Sequence, residues 1–271
     1  MDLAKNLAGT GLELRMLGTL VVSQHGSAVD LPASRKVRAL LAYLALTPCA
    51  TPRSRLCELL LDNASDSRGE LRWYLSKLRG IVGARRVRSN EDSVRLELAN
   101  SFVDALEIQR AARKGFDTLA PERARALLGL FGGDFLDGLE IDRCPGFAGW
   151  RLAQQRRFRA WQVALLHRLV ESAPEAEFLE LVEKWLELAP YDVHAHEHLL
   201  RALARRGRIR EGKEHLAVSL RLFSAEGLDC APLESAWRAA TAEIAAPRPS
   251  RMDRIEQAYD YYLQGRALLP A

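Results

Sequence analysis

The sequence predicts an α+β N-terminal domain followed by an all-α domain, and three observations carry that division. Residues 12–22 and 85–98 alternate apolar and polar side chains with the period of a strand, whereas the segments between them recur with the period of a helix. Everything after residue 101 keeps the helical period. The formal charge of +4 is also uneven: residues 1–100 hold 15 basic against 10 acidic side chains, while residues 101–271 hold 24 against 25.

Taken in order, LELRMLGTLVV (12–22) reads as the start of a small sheet, His25-Gly26 as a turn, and the next residues as a short extended piece ending at Pro32. RKVRALLAYLALT (35–47) is helical, because Leu40, Leu41, Leu44 and Ala45 form one broad apolar face before Pro48. Thr51 and Pro52 suit the N-cap and first turn of a helix over 53–61. After the polar DNASDS comes SRGELRWYLSKLRG, predicted helical over 66–82 and closed by Gly83. Leu71, Leu75 and Leu78 recur on its apolar side, with Arg68, Arg72, Ser76 and Arg79 on an adjacent face. Trp73 and Tyr74 suit either stacking on a sugar or packing within the domain, with packing favoured, above all for Tyr74 beside the leucine stripe. RRVRSNEDSVRLEL (85–98) reads as a hairpin about an SNED turn. Sheet, three helices and hairpin, in that order, is the layout of a winged helix-turn-helix, in which the third helix enters a major groove. Within residues 34–88 the count is 12 basic against 4 acidic side chains, an excess suited to a polyanion.

Beyond residue 101 helices are expected at 104–114, 121–130, 145–172, 175–188, 192–206, 209–225 and 232–245. They read as hairpin pairs with Ala202, Leu203, Leu216 and Leu220 at facing positions, which suggests a tetratricopeptide-like repeat. The expected domains are therefore 12–99 and 101–245. Residues 246–271 would form a linker, opened by PRPSR, and either a docking helix or the beginning of a further helical segment.

Several function classes are disfavoured. No apolar run approaches the roughly 18 residues a membrane span needs, and MDLAKNLAGTG lacks the apolar core of a secretory signal, so a cytoplasmic chain is expected. Cys49, Cys57, Cys144 and Cys230 show neither CxxC nor zinc-ligand spacing and read as reduced structural thiols. HAHEH (194–198) places His194 and His198 one turn apart, yet it lacks an HExxH base and a third ligand, so surface and packing roles are expected. DFLDGLEID reads as a structural turn anchored by Phe131, Phe135 and Leu136 rather than a carboxylate pair for catalysis. Without a phosphate-binding glycine loop or a nucleophile elbow, no enzyme activity and no cofactor are expected.

LPASRKVRALLAYLAL, TPRSRLCELLL and LRWYLSKLRGIVG resemble the DNA-binding domain of OmpR/PhoB-type regulators, and more closely that of SARP-type transcriptional activators. FGGDFLDGLEIDRCPGFAGWRLAQQRR (131–157), with the helical hairpins after it, resembles the bacterial transcriptional activation domain that follows in that family. The resemblance implies a regulator that binds direct repeats in double-stranded promoter DNA, as a homodimer of side-by-side protomers, and contacts RNA polymerase. It places Arg68, Arg72, Ser76, Lys77 and Arg79 on the DNA-facing helix, Arg85, Arg86 and Arg88 in the wing, and Arg35 and Lys36 near phosphate. The chain departs from the pattern at Leu61, where tryptophan is frequent, in the short DNASD loop, and at Gly80, where a basic residue is common. Gly69 near the helix start would cost up to about 1 kcal/mol against alanine. A helical scaffold whose winged helix docks protein is the alternative reading.

Overall fold

The computed structural model describes residues 11–61 and 66–245. The chain divides into two compact units, Met1–Leu188 and Ala189–Ala271. That division differs from the expected boundary near residue 100, and the first unit's own contacts explain why. Strand β1 (Leu12–Arg15) lies between β2 (Val21–Gln24), antiparallel, and β7 (Phe102–Val103), parallel, while β3 (Ser27–Ala28) pairs with β2 at the edge. The chain thus returns to its first strand at the point where the second domain was expected to begin. Leu12 and Leu14 point into the core between outward Glu13 and Arg15, as a half-buried strand requires. His25 and Gly26, with φ of 51° and 81°, make the two-residue turn between β2 and β3; two left-handed residues match the right-handed twist of the strands.

A buried carboxylate secures this return. Asp104, which opens α4 (Asp104–Lys114), accepts hydrogen bonds from the backbone N–H of Met16 at 2.8 Å, Leu17 at 2.9 Å and Ala105 at 2.6 Å. Burial pushes its carboxyl up to about 6, against the pull of those three donors.

Helices α1 (Arg35–Leu46), α2 (Arg53–Leu60) and α3 (Ser67–Val82) pack through Leu40, Leu41, Leu44, Leu56, Leu59, Leu71, Leu75 and Leu78, all buried. Each contributes roughly 1.5–3 kcal/mol of apolar burial. The expected capping role of Thr51-Pro52 does not occur. These two residues form β4 (Thr51–Pro52), which pairs with β6 (Ser93–Leu96), itself paired with β5 (Val87–Ser89), and the N-cap position of α2 has no side-chain cap. Sheet pairing claims the backbone that the cap reading assigned to a helix start.

In the same unit follow α5 (Pro121–Leu128), α6 (Pro145–Val170) and α7 (Glu175–Leu188); α5 and α6 stop two residues short of the expected 130 and 172. The DFLDGLEID segment is a buried anchor: Phe135 stacks on Phe158 at 5.1 Å and lies 5.8 Å from Trp150. Two of its four carboxylates are paired outward, Asp134 with Arg159 at 2.8 Å and Glu140 with Arg151 at 3.2 Å. The second unit holds α8 (Val193–Arg205), α9 (Ile209–Ala225) and α10 (Ala231–Ala245). Leu200, Ala204, Trp237 and Ala240 form its core, with Leu216 packed against it. The expected linker and further segment at 246–271, and Asp62 to Ser65 of the loop before α3, lie outside the described residues. No described helix is long and apolar enough to cross a membrane.

Candidate nucleic-acid interface

Helix α3 begins at an Asp66 cap, whose side chain accepts from Gly69 N–H at 2.8 Å. A Cβ at Gly69 would collide with that carboxylate, so the glycine that looked costly in sequence is the residue that lets the cap close. Leu71, Tyr74, Leu75, Leu78, Ile81 and Val82 are buried, which sets the opposite face outward. Gly69, Ser76 and Gly80 run along the centre of that outward face, with Arg68, Arg72 and Arg79 on one flank and Trp73 and Lys77 on the other.

The two aromatic residues differ in burial, although their rings meet edge to face at 5.4 Å. Tyr74 is buried and its hydroxyl donates to Glu70, which burial and that carboxylate answer by pushing the phenol pKa up. Trp73 does not pack as expected: it is 49% exposed, with Lys77 Nζ 5.4 Å from its ring centroid. Three leucines and Tyr74 already fill the inward arc, so the residue before Tyr74 is carried past the edge of the core.

The arginines differ in how far the protein already uses them. Arg86 is half-buried, its Nη1 donating to Ala99 O at 3.1 Å and Ser101 Oγ at 2.7 Å, so it fastens the hairpin to the segment that leaves it. Arg88 pairs with Glu97 at 3.2 Å, and Arg79 donates to Ser89 Oγ at 2.8 Å, tying α3 to β5. Lys36 faces Glu70 at 3.8 Å, and Arg35 reaches Glu140 O at 3.4 Å. Arg68, Arg72 and Arg85 are exposed and make no hydrogen bond or ion pair with any described residue.

Two further residues belong to this surface. Arg95 stands directly opposite Arg88 in the β5–β6 register and is exposed without a partner. Its outward direction was readable from the alternation of Val94, Arg95 and Leu96, both neighbours being buried. Like charges placed opposite each other destabilise a hairpin, and Glu97 relieves only the Arg88 side. Arg53 supports the turn, its backbone N–H bonding Asp92 O at 2.8 Å and its Nε bonding Asn90 O at 2.9 Å.

HAHEH supplies a packing residue that its spacing did not indicate. His196, the middle histidine, is buried; its Nε2–H donates to Pro190 O at 2.8 Å, leaving Nδ1 to accept from His215 Nε2–H at 2.9 Å. Among the described residues no three His, Cys, Asp or Glu side chains are grouped to hold a metal ion.

No family model matches the sequence, and no curated protein matches it. Among solved structures the fold is similar to that of Mycobacterium tuberculosis EmbR in complex with a low-affinity phosphopeptide. The TM-score is 0.64 over 92% of this chain and 68% of that one, at 19% identity. At that identity the likeness is one of fold.

Proposed function

We propose that the chain is a sequence-specific transcriptional regulator that binds double-stranded DNA through a winged helix over residues 12–99. In this reading α3 enters the major groove and the β5–β6 hairpin is the wing that lies against the adjacent backbone. The observation that carries it is the set of exposed cations from α3 and the hairpin, Arg68, Arg72, Arg85 and Arg95, that have no partner among the described residues. Arginine can fork onto the O6 and N7 of guanine or onto phosphate, and small Ser76 lets the helix come close. Arg79, Arg88, Lys36 and Arg35 flank that surface while holding protein partners, and Arg86 acts as a structural clamp. Trp73 joins the interface as an apolar contact for a sugar or a thymine methyl group.

The fold of EmbR and the resemblance of residues 131–157 to an activation domain support a tetratricopeptide-like effector region over 101–245. RNA polymerase is its proposed partner, with protomers side by side on direct repeats. The test is retention of genomic fragments of the host by the full chain in a gel shift at moderate salt. Wild-type protein is expected to retain a fragment that Arg72→Ala releases. The absence of any retained fragment would overturn the reading and leave the scaffold alternative, which the exposed indole of Trp73 favours.

A further inference from the structure

A cleft of about 380 Å³ lies where the C-terminal end of α1, the end of β6 and the outer side of α4 meet. Its volume falls in the range of small-molecule sites, about 300–1,000 Å³. Leu46, Leu98 and Leu106 line it and are only half-buried, so apolar surface is left without packing partners. Arg95, Arg110 and Arg113 stand at the same cleft. A neighbouring hollow shares Leu46, Gln109 and Arg113 and continues to Arg157 and Trp161, whose ring centroid is 5.8 Å from the Arg157 guanidinium.

Arg110 is taken by Glu107, but Arg95, Arg113 and Arg157 make no hydrogen bond or ion pair with any described residue. Three acceptors nearby are already engaged: the Glu97 carboxylate by Arg88 at 3.2 Å, and the α1 carbonyls of Tyr43 and Leu44 by Thr47. A basic last turn compensates the dipole of α4, which accounts for Arg113. It accounts for neither Arg95, which is on a strand, nor Arg157, which is in the middle of α6.

We propose that this cleft binds a small organic anion, an aryl or alkyl carboxylate or phosphate, whose apolar body rests on the leucines while its head is held by Arg95 and Arg113. Guanidinium groups fork onto both head groups, and the Trp161 end accepts a flat ring. The cleft shares Arg95 with the proposed DNA surface, so its test relies on Arg113 and Arg157, which that surface does not include, and is read without DNA.

The test is calorimetric titration of the full chain with 2-naphthoate, 1-naphthyl phosphate and uncharged 2-naphthalenemethanol. Saturable one-to-one binding of the anions is expected, with the neutral probe at least about tenfold weaker, as loss of a charge-assisted bond implies. Arg113→Glu and Arg157→Gln, each checked for an unchanged melting temperature, are expected to weaken the anions several-fold, and Arg72→Ala is expected to leave them unchanged. Equal affinity for the neutral probe, no binding at millimolar concentration, or indifference to both substitutions would overturn the proposal. So would binding of an acidic Glu/Leu peptide where naphthoate fails, which would assign the cleft to a protein partner.

Discussion

Gly80 allows the seating of α3 to be tested through two readouts of opposite sign. The residue lies in helical backbone on the outward centre line, and a Cβ built there meets nothing within 4 Å. Glycine costs about 0.8–1 kcal/mol against alanine in a helix interior. No contact within the described chain uses the missing side chain. Gly80→Ala is therefore expected to stabilise the first unit by up to about 1 kcal/mol, which for a unit of this size raises the melting temperature by about 2–4 °C. In the proposed DNA complex the sign reverses: glycine, where similar domains often carry a larger basic side chain, lets α3 seat closer, and a methyl group on that centre line is then overpacking, which costs about 1–3 kcal/mol in close-packed surroundings. Since 1.4 kcal/mol is tenfold in a binding constant, affinity should fall by about fivefold to a hundredfold. The assay pairs a thermal melt of the full chain with a binding titration on one selected fragment at fixed salt. A higher melting temperature with unchanged affinity would refute the close seating of α3. A lower melting temperature would refute the view that the space over Gly80 is open.

Other expectations separate clamps from contacts. Arg86→Ala should destabilise the first unit by about 1–3 kcal/mol, the range for hydrogen bonds to a charged group, whereas Arg72→Ala should leave the melt unchanged and weaken specific binding by about 1–3 kcal/mol. Melts and titrations on the two variants check the contrast. Binding should fall with salt at a log-log slope near −5 for about six phosphate contacts, read from titrations at several salt concentrations. Burial lowers the pKa of both His196 and His215, the latter to about 4 with help from His196. Their folded values lie below the ordinary 6.5, so this stability is full above about 6.5 and is lost as pH falls toward 4. For this pair, buried at His196 and half-buried at His215, that is about 1–3 kcal/mol, and His215→Gln should flatten the pH dependence of urea unfolding of the second unit. Asp104 acts with the opposite sign, its folded value lying above the ordinary 3.8, so its contribution to the first unit is full below about 4 and diminishes as pH rises through 6.

The local periodicities carried most of the element order. Leu71, Leu75 and Leu78 face inward because three- and four-residue spacing leaves a helix no other way to bury them, and the same rule placed α4 to α10 within a residue or two of their observed ends. What periodicity could not reveal is pairing between segments far apart in sequence. Phe102 and Val103 form a strand of two residues, too short to show an alternation, yet their parallel pairing with β1 joins the expected first domain to the chain that follows. Thr51 and Pro52 carry a cap signature, and only the presence of Ser93 and Val94 beside them turns that backbone into a strand.

The candidate surface shows the same limit at the level of single side chains. Arg85 and Arg86 are identical in type and adjacent in sequence, and any count of charge treats them alike. Val87 is buried as the first residue of β5, and Arg86 before it lies over the exit of the hairpin, where Ala99 O and Ser101 Oγ stand within reach. Arg85, one residue earlier in the short turn Ala84–Arg86, has no such acceptor among the described residues and stays in solvent. Trp73 reverses the case, an apolar residue read as core that the arc filled by Leu71, Tyr74 and Leu75 leaves outside. Availability for a ligand is therefore set by what the folded chain has left unpartnered. By that criterion the proposed DNA-facing set contracts to Arg68, Arg72, Ser76, Lys77 and Arg85 and gains Trp73 and Arg95, and a scan of these seven against Arg86 on one DNA fragment would test it: Arg86→Ala should lose stability, and the seven should lose affinity alone.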